Sequence, residues 1–539
     1  MSNANDTPVL IVGGGPVGLA LAADLGRRGI SCTLVEQSDG TIYHPRANTV
    51  NSRTMEFCRR WGVAEEVRQA GTPPDFPLDI IYCTGLQGYP LARIDRPTYG
   101  GHRPLPTTPE RSQRCNQLFF DPIMRKLAAS FPHVRLRYRC RFESFTETAD
   151  GVLCQVHDLA ADRRETIAAR FVVACCAGRS SIPQVLGVRW EGQPVLSYHV
   201  NVFLKIKELW TRHDKGKAAF YFFVDESGGG PSLIELDGNE LWRLGLNTGQ
   251  TLVPPEQVDI PAIVNEFIGP AIPYEVVSVL PWTCRSIVAD CWHKGRAFLA
   301  GDAVHQHSPS GGFGMNTGLG DAVDLAWKIE ATLAGWGGPA LVESYEIERK
   351  PVARRIVREA TDNQGPLADK ATLALVRAPG PEGDRARADI SAVIVRERTR
   401  VYVSDGLVLG YRYDPSPIIV PDGTPAPAES VSQYTPTSRP GSRAPHAWLE
   451  EGRSTLDLFG GGFALLAFAG AAEEAAPLAA AARSRGVPLE IVPIADPATA
   501  ALYERRLVLV RPDGHVSWRG DAAPNDPLAL IDQVRGARR

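Results

Sequence analysis

The densest run of ligand-binding residue types begins at Gly301. Asp302 stands in Gly301-Asp302-Ala303-Val304-His305, followed by Pro309 and by Gly311-Gly312-Phe313-Gly314-Met315-Asn316. An acidic side chain in such a place accepts hydrogen bonds from a hydroxyl. Glycine amides without side chains can approach an electron-rich ring or a phosphate. A second run lies near the N-terminus, where Gly13-Gly14-Gly15-Pro16-Val17-Gly18 fits G-x-G-x-x-G. Gly13 permits a tight turn, Gly15 lets the backbone reach a pyrophosphate, and Gly18 lets a helix pack on a sheet. Glu36, eighteen residues beyond Gly18, is placed to accept a hydrogen bond from a ribose hydroxyl.

These residues need elements to hold them, and the flanking sequence provides them. Pro8 to Val12 is a continuous apolar run, the pattern of a buried parallel strand. Leu19 to Arg28 reads as a helix ended by Gly29, and Ser31 to Glu36 as the second strand. Ala297-Phe298-Leu299-Ala300 reads as a strand ahead of the Gly-Asp run, with an amphipathic helix from Gly320 to Ile329 behind it. Two nucleotide-type elements so far apart imply one long ligand held at both ends. FAD fits better than NAD, because a ribityl chain and an isoalloxazine ring need the second, distant clamp.

At 539 residues the chain is too long for one core. A net charge of −3 and a pI near 6.4 argue against nucleic acid and against an anionic membrane surface as partners. No stretch is long and apolar enough for a transmembrane span, and the polar start lacks the profile of a signal peptide. The ten cysteines follow no disulfide framework, so a cytoplasmic setting is expected. With no C-x-x-C and no His/Cys cluster, no metal is expected.

The pattern divides the chain. Residues 1–185 and 285–400 read as one discontinuous cofactor domain with a helical region. Residues 186–284 read as an inserted antiparallel sheet, with strands at Val200 to Ile206, Ala218 to Val224, Leu233 to Leu236 and Leu241 to Leu246. Such a sheet would roof the flavin and wall a substrate cavity. Its aromatics Phe203, Phe220, Phe222, Phe223 and Trp242 suit an apolar cavity. Residues 401–445, rich in Pro, Ser and Thr, read as a linker. Residues 446–539 read as a small α/β unit of thioredoxin-like topology that, lacking C-x-x-C, has no redox role.

The whole resembles the group A flavoprotein monooxygenases, relatives of para-hydroxybenzoate hydroxylase and phenol hydroxylase. Carrying the likeness are Gly13 to Gly18 with Glu36, Gly301 to Asn316 with Asp321-Ala322 and Leu325-Ala326-Trp327-Lys328, and Ser344-Tyr345-Glu346-x-Glu348-Arg349-x-Pro351. In the tail it rests on Arg443-Ala444-Pro445-His446-Ala447-Trp448 and Leu509-Val510-Arg511-Pro512-Asp513-Gly514. The resemblance implies an α/β fold: an FAD-binding Rossmann-like domain of the glutathione reductase type, with an inserted antiparallel-sheet substrate domain and a C-terminal thioredoxin-like domain. It implies that Asp302 binds the ribityl hydroxyls and that Gly314, Met315 and Asn316 present backbone to the flavin's pyrimidine edge. Pro309 would sit beside the reacting flavin carbon. Arg46 matches an arginine at the cofactor phosphates, and Gln117 a cofactor-binding position.

The implied reaction is hydroxylation of a phenolic or polycyclic aromatic substrate by O2 through a flavin hydroperoxide, with NADPH or NADH as reductant. A homodimer is an open expectation. The base is not fixed. Asn48 sits where some relatives carry an acid, and an amide cannot act as a base. Tyr221, His199 and Arg285 are the other candidates on the substrate side, while His305 and His307 are expected to orient backbone. One departure favours an alternative. Aligned on Gln184 to Gly187, Cys176-Ala177 replaces the family's Asp-Gly, and Pro183 stands where Arg is expected. The family motif there touches FAD and the pyridine nucleotide. The alternative is a flavoenzyme on the same scaffold that does not use NAD(P)H efficiently, an oxidase or a Baeyer–Villiger-type oxygenase. A non-catalytic flavin-binding protein is a third reading, opposed by the intact Gly-Asp run.

Overall fold

The computed structural model describes residues 6–100, 105–176, 182–363 and 367–537, and only the backbone of Arg400. Thr7–Val12 forms a strand paired in parallel with Arg163–Ala174 on one side and Cys32–Glu36 on the other. Its unbroken apolar run is what a parallel strand covered on both faces requires. Val134–Tyr138 extends the sheet beyond Cys32–Glu36, and Ala297–Leu299 extends it beyond Arg163–Ala174, both in parallel. Cys140–Glu147 and Val152–Asp158 form an antiparallel meander that runs onto the first half of Arg163–Ala174.

Register decides where the site lies. Val12 pairs with Ala174, and Ala174 pairs with Leu299. Three strands thus stop level, and the loops after Val12 and Leu299 leave the same edge of the sheet. Open α/β sheets bind their ligands in the crevice at that edge. The two helices that follow, Pro16–Arg27 and Gly314–Leu333, pack on one another. Their approach needs bare backbone: a Cβ on Gly318 would stand 2.6 Å from Val17 Cγ2, and one on Gly301 3.0 Å from it.

The second sheet has eight strands. In spatial order they are His305–Gln306, Glu275–Ala289, Trp190–Lys205, Leu241–Gly249, Ser232–Glu235, Phe220–Phe223, Ile80–Cys83 and Pro90–Ile94. Neighbours are antiparallel except Phe220–Phe223 and Ile80–Cys83, which run parallel. Three of these strands come from outside the 186–284 stretch, so the sheet is sewn to the cofactor half from both ends. One face is an apolar core of Val200, Val202, Leu204, Tyr221, Phe223, Leu233, Trp242 and Leu244. Alternation along the strands sends His199, Asn201 and Phe203 to the opposite face, with Arg243 beside Phe203 on the neighbouring strand.

The tail forms a four-stranded sheet in the order Leu489–Ile494, Phe463–Phe468, Leu507–Val510, Val516–Gly520. The first pair is parallel and the others are antiparallel. Residues 401–445 are irregular in backbone, as the composition implies, yet they are no free tether. Leu407, Val408, Leu409 and Tyr413 are buried with Phe313, Val352 and Ile356. They show no periodicity because they enter a seam one by one instead of forming a face.

That seam is ionic at its centre. Lys328 Nζ donates to Asp324 Oδ2 at 2.7 Å and to Glu348 Oε2 at 2.6 Å. Arg511, from the tail, donates to Glu348, Asp324 and Asp513 at 2.5–3.0 Å. All five side chains are buried. Segments that looked familiar in three separate parts of the sequence therefore meet in one cluster.

Candidate active site

At the level edge of the first sheet, Gly13 adopts φ +112°, and a Cβ there would lie 2.9 Å from Cys176 N. On Gly18 it would lie 2.0 Å from Gly13 O. Both glycines are required by the chain's own packing. Gly15 is different: a Cβ there meets no atom of the protein within 4 Å, and its φ of −78° suits any residue. The room beside Gly15 lies outside the chain, where a pyrophosphate would approach. The helix that starts at Pro16 has no side-chain cap and no acid in its first turn. The helix that starts at Gly314 has neither feature as well. Two helix ends with free amides and positive dipole ends thus face one crevice. Glu36 Oε2 accepts from Gly14 N at 2.8 Å, which sets the carboxylate beside the glycine loop.

Asp302 is reached by solvent, yet desolvation by the surrounding protein raises its carboxyl above the usual range. A group at the floor of a cleft behaves in this way. The fields of nearby His305 and Arg46 pull against that rise, which places Arg46 near Asp302. Among the described residues the Asp302 carboxylate makes no hydrogen bond within the chain, so its acceptors are available to a polyol. These features fit an FAD held by both ends: pyrophosphate at Gly15 and Pro16, ribityl chain at Asp302, ring at the Gly311–Met315 backbone. Cys176 lies against Gly13, while Ala177 falls outside the described residues.

The loop itself is held by Asp321, a helical acid with no role assigned from its motif. Asp321 is buried and accepts from Gly301 N at 3.1 Å, from His305 Nε2 at 2.9 Å and from Arg349 Nε at 2.8 Å. The ion pair with Arg349 and the contact with His305 hold its carboxyl below the usual range against strong desolvation. Asn316 has a side-chain role beyond its backbone. Its amide donates to Thr49 O and Gly312 O and accepts from Asn51 N, stapling the glycine loop to the 49–51 segment. Gln117 accepts from Arg46 N at 3.1 Å and donates to Asp121 at 3.0 Å. It positions the arginine loop with both ends of its amide. His307 donates from Nδ1 to Ser308 O at 2.7 Å, so it too orients backbone. Pro309 is exposed, its carbonyl accepting from Gly312 N at 3.0 Å.

On the substrate side, two expectations change. Tyr221 lies on the apolar face of the sheet, and its hydroxyl donates to Gly216 O at 2.5 Å. It is a core residue, as are Phe223 and Trp242, because strand alternation turns them away from the cofactor. Tyr221→Phe is therefore expected to keep turnover within about twofold and to cost about 1 kcal/mol of stability; a large loss of turnover with an intact fold would contradict this. Arg285 donates to Gln306 Oε1 at 3.0 Å, and Gln306 donates to Asp302 O at 3.0 Å, so Arg285 braces the Gly-Asp turn. Asn48 donates to Glu235 O at 3.0 Å, which ties the loop carrying Arg46 to the sheet. His44 on that loop bonds Ser278 Oγ at 2.9 Å and packs edge-on against Phe203. This loop thus packs over the face of the sheet that carries His199, Asn201, Phe203 and Arg243. His199 stacks on Trp282 with ring centroids 4.4 Å apart.

A flavoprotein acting on aromatic molecules needs both halves of this arrangement, a two-ended grip on FAD and an aromatic, water-screened wall above it. The chain belongs to the FAD-dependent aromatic-ring hydroxylases: it matches the family model described as FAD binding domain over residues 6–360 and that described as Aromatic-ring hydroxylase, C-terminal, over 437–536. It is a flavin-dependent aromatic monooxygenase, and FAD is its cofactor. It is similar to the tetracenomycin B2 monooxygenase-dioxygenase of Streptomyces olivaceus, with 32% identity over 98% of this chain and 98% of the relative. Among solved structures it resembles RebC soaked with chromopyrrolic acid and holding 7-carboxy-K252c, at 39% identity and TM-score 0.91 over 99% of each chain. It also resembles the flavin-dependent monooxygenase PieE in complex with FAD and substrate, at 28% identity and TM-score 0.89 over 100% of each chain. No helix among the described residues is long and apolar enough to cross a membrane.

Proposed function

We propose that the protein hydroxylates a polycyclic aromatic compound bearing an ionisable oxygen, with O2 as oxygen donor and NADPH or NADH as reductant. The observation that carries this reading is the face of the second sheet beside the Arg46 loop, where Phe203 and Trp282 stand among the polar groups of His199, Asn201 and Arg243. Flat rings suit flat aromatic ligands, and the neighbouring polar groups fix their orientation. When bound, FAD supplies oxygen activation and transfer, and the protein's contribution is binding, orientation and exclusion of water. Asp302 and Arg46 hold the cofactor's polar chain, Asn316 fixes the loop under its ring, and the sheet screens the reacting face. Ten free cysteines and the absence of disulfides among the described residues support a reducing, cytoplasmic setting.

The test is oxidation of NADPH and of NADH by purified FAD-loaded protein across a panel of polycyclic phenols, with product mass measured. Substrate-dependent consumption and a product heavier by one oxygen atom are expected. Consumption that yields only hydrogen peroxide with every compound would overturn the reading. A second reading, weak use of NAD(P)H, is favoured by Cys176, a thiol in place of the family's carboxylate acceptor. Anaerobic mixing separates the two, since a flavin that stays oxidised with both nucleotides in the presence of substrate supports the second.

A further inference from the structure

Four buried polar atoms on the 44–48 loop and on the strands it packs against have no partner among the described residues: His44 Nε2, Asn48 Oδ1, Arg243 Nε and Trp282 Nε1. Buried polar groups are normally satisfied, so orphans gathered between this loop and the sheet fit a ligand that satisfies them. Two of these form a chemical pair. Arg243 has neither a carboxylate nor a hydrogen-bond partner among the described residues. Arg114, the nearest other cation, is engaged by Glu235 at 2.6 Å. Arg243 is so poorly solvated, with Arg114 close by, that its pKa is pulled down to about 10. A cation kept in that state is a place for an anion to bind.

The proton on His44 can be assigned from its neighbours. Ser278 Oγ donates its single hydrogen to Tyr43 O at 3.0 Å. The same oxygen must then accept from His44 Nδ1, at 2.9 Å. Nδ1 carries the proton, so Nε2 presents a lone pair. Register sets Ser278 and Arg243 on either side of Phe203, and His44 rests against both Ser278 and Phe203. The charged groups facing His44 are Arg46 on its own loop and Arg243 from the sheet. Burial, then Arg243 and Arg46, depress its pKa to about 4, so Nε2 carries no proton at neutral pH and takes one only against the negative charge that forms on the substrate oxygen beside it.

We propose that His44 and Arg243 are the acid-recognising pair of this enzyme: His44 Nε2 accepts the proton of a substrate hydroxyl, and the Arg243 guanidinium holds the oxyanion that results. This rests on the hydroxylase reading above and names the base it lacked. In the step the substrate O–H bond breaks, an N–H bond forms at Nε2, and no electrons are exchanged. The electron pair left on oxygen enriches the ring for attack by an electrophilic oxygen. Asn48 and Trp282 are left to orient other polar groups of the ligand.

The probe is alizarin, a tricyclic hydroxyanthraquinone whose colour reports ionisation, titrated with pH in difference spectra against FAD-loaded protein. Neither turnover nor nicotinamide is involved, so failure here is separate from failure of the hydroxylase reading. Bound alizarin is expected to ionise at least about one pH unit lower than free alizarin, a tenfold change. Arg243→Gln should abolish the shift and Arg243→Lys should keep part of it. His44→Asn retains the donor to Ser278 and removes Nε2, so it should reduce the shift with FAD content unchanged. Its turnover of any accepted phenol should fall about a hundredfold or more and recover as pH approaches the phenol's own pKa. Anthracenecarboxylate, which needs no base, should depend on Arg243 alone. An unshifted ionisation in the wild-type protein, or shifts indifferent to both residues, overturns the proposal. So does failure to bind alizarin, and so does a His44→Asn variant with full turnover across pH.

Discussion

Gly15→Val is expected to give a folded, colourless protein. The argument is one of space. Among the glycines of the first loop, Gly15 alone could carry a side chain without touching the protein, and its backbone angles suit a substituted residue. The fold therefore has no use for its bareness, whereas the cofactor's pyrophosphate does. FAD affinity should fall about a hundredfold or more, a loss of about 2.7 kcal/mol, while circular dichroism and the thermal transition of the apoprotein stay close to those of wild-type apoprotein. Gly18→Ala is the control: its Cβ would lie 2.0 Å from Gly13 O, so helix and strand must separate and soluble protein should be lost. A yellow Gly15→Val protein with undiminished FAD would move the pyrophosphate away from this loop.

Arg511→Met is expected to loosen the joint between the tail and the cofactor half. Arg511 is the tail's only side chain reaching both Asp324 and Glu348 among the described residues. Its removal leaves the buried Asp324 and Glu348 to Lys328 alone and takes from Asp513 its guanidinium partner. Taking one partner from a buried ionic cluster costs about 3–5 kcal/mol, since the remaining charges keep their desolvation penalty. Burial and mutual repulsion already press the Asp324 carboxyl up to about 7, which is the direction expected of an acid with too few cations. Trp327 lies beside Arg511, with the guanidinium 5.2 Å from its ring, so indole fluorescence reports this place directly. The fluorescence transition in denaturant should move to markedly lower concentration, and adding Asp324→Asn to Arg511→Met should recover part of the loss. An unchanged midpoint would mean that the cluster is redundant.

Much of the framework around the two glycine loops was readable because its signals are local. A strand that must be apolar on both faces, a glycine turn and an acid at the next strand end are written in consecutive residues. Asp302 and its glycines declared themselves in the same way. Asp321 did not, because a buried acid inside a helix looks in sequence like any helical Asp until Gly301, His305 and Arg349 are seen around it. Tyr221 was misread for a related reason. A strand such as Phe220-Tyr221-Phe222-Phe223 is aromatic on both faces, and alternation states that the faces differ without stating which one meets the cofactor. His44 was passed over altogether, since its partners Ser278, Phe203 and Arg243 come from three strands joined only by the sheet. Glu275–Ala289 shows no clear strand pattern in sequence because Pro281 and the polar Ser278, Thr283, Arg285 and Ser286 break the apolar run.

The level ends of the three strands also bear on how the molecule is made. Thr7–Val12 leaves the ribosome early, but its partner across the sheet, Ala297–Leu299, is translated only after seven of the eight strands of the second sheet. A nascent chain halted before Leu299 owns the first glycine loop and lacks the Gly301–Asn316 run. Closure then depends on pairings between residues distant in the sequence, which are the slow ones to form. Prosthetic-group capture in this enzyme therefore belongs to the late stage of biosynthesis, and a cell short of riboflavin would accumulate finished polypeptide chains in their apo form.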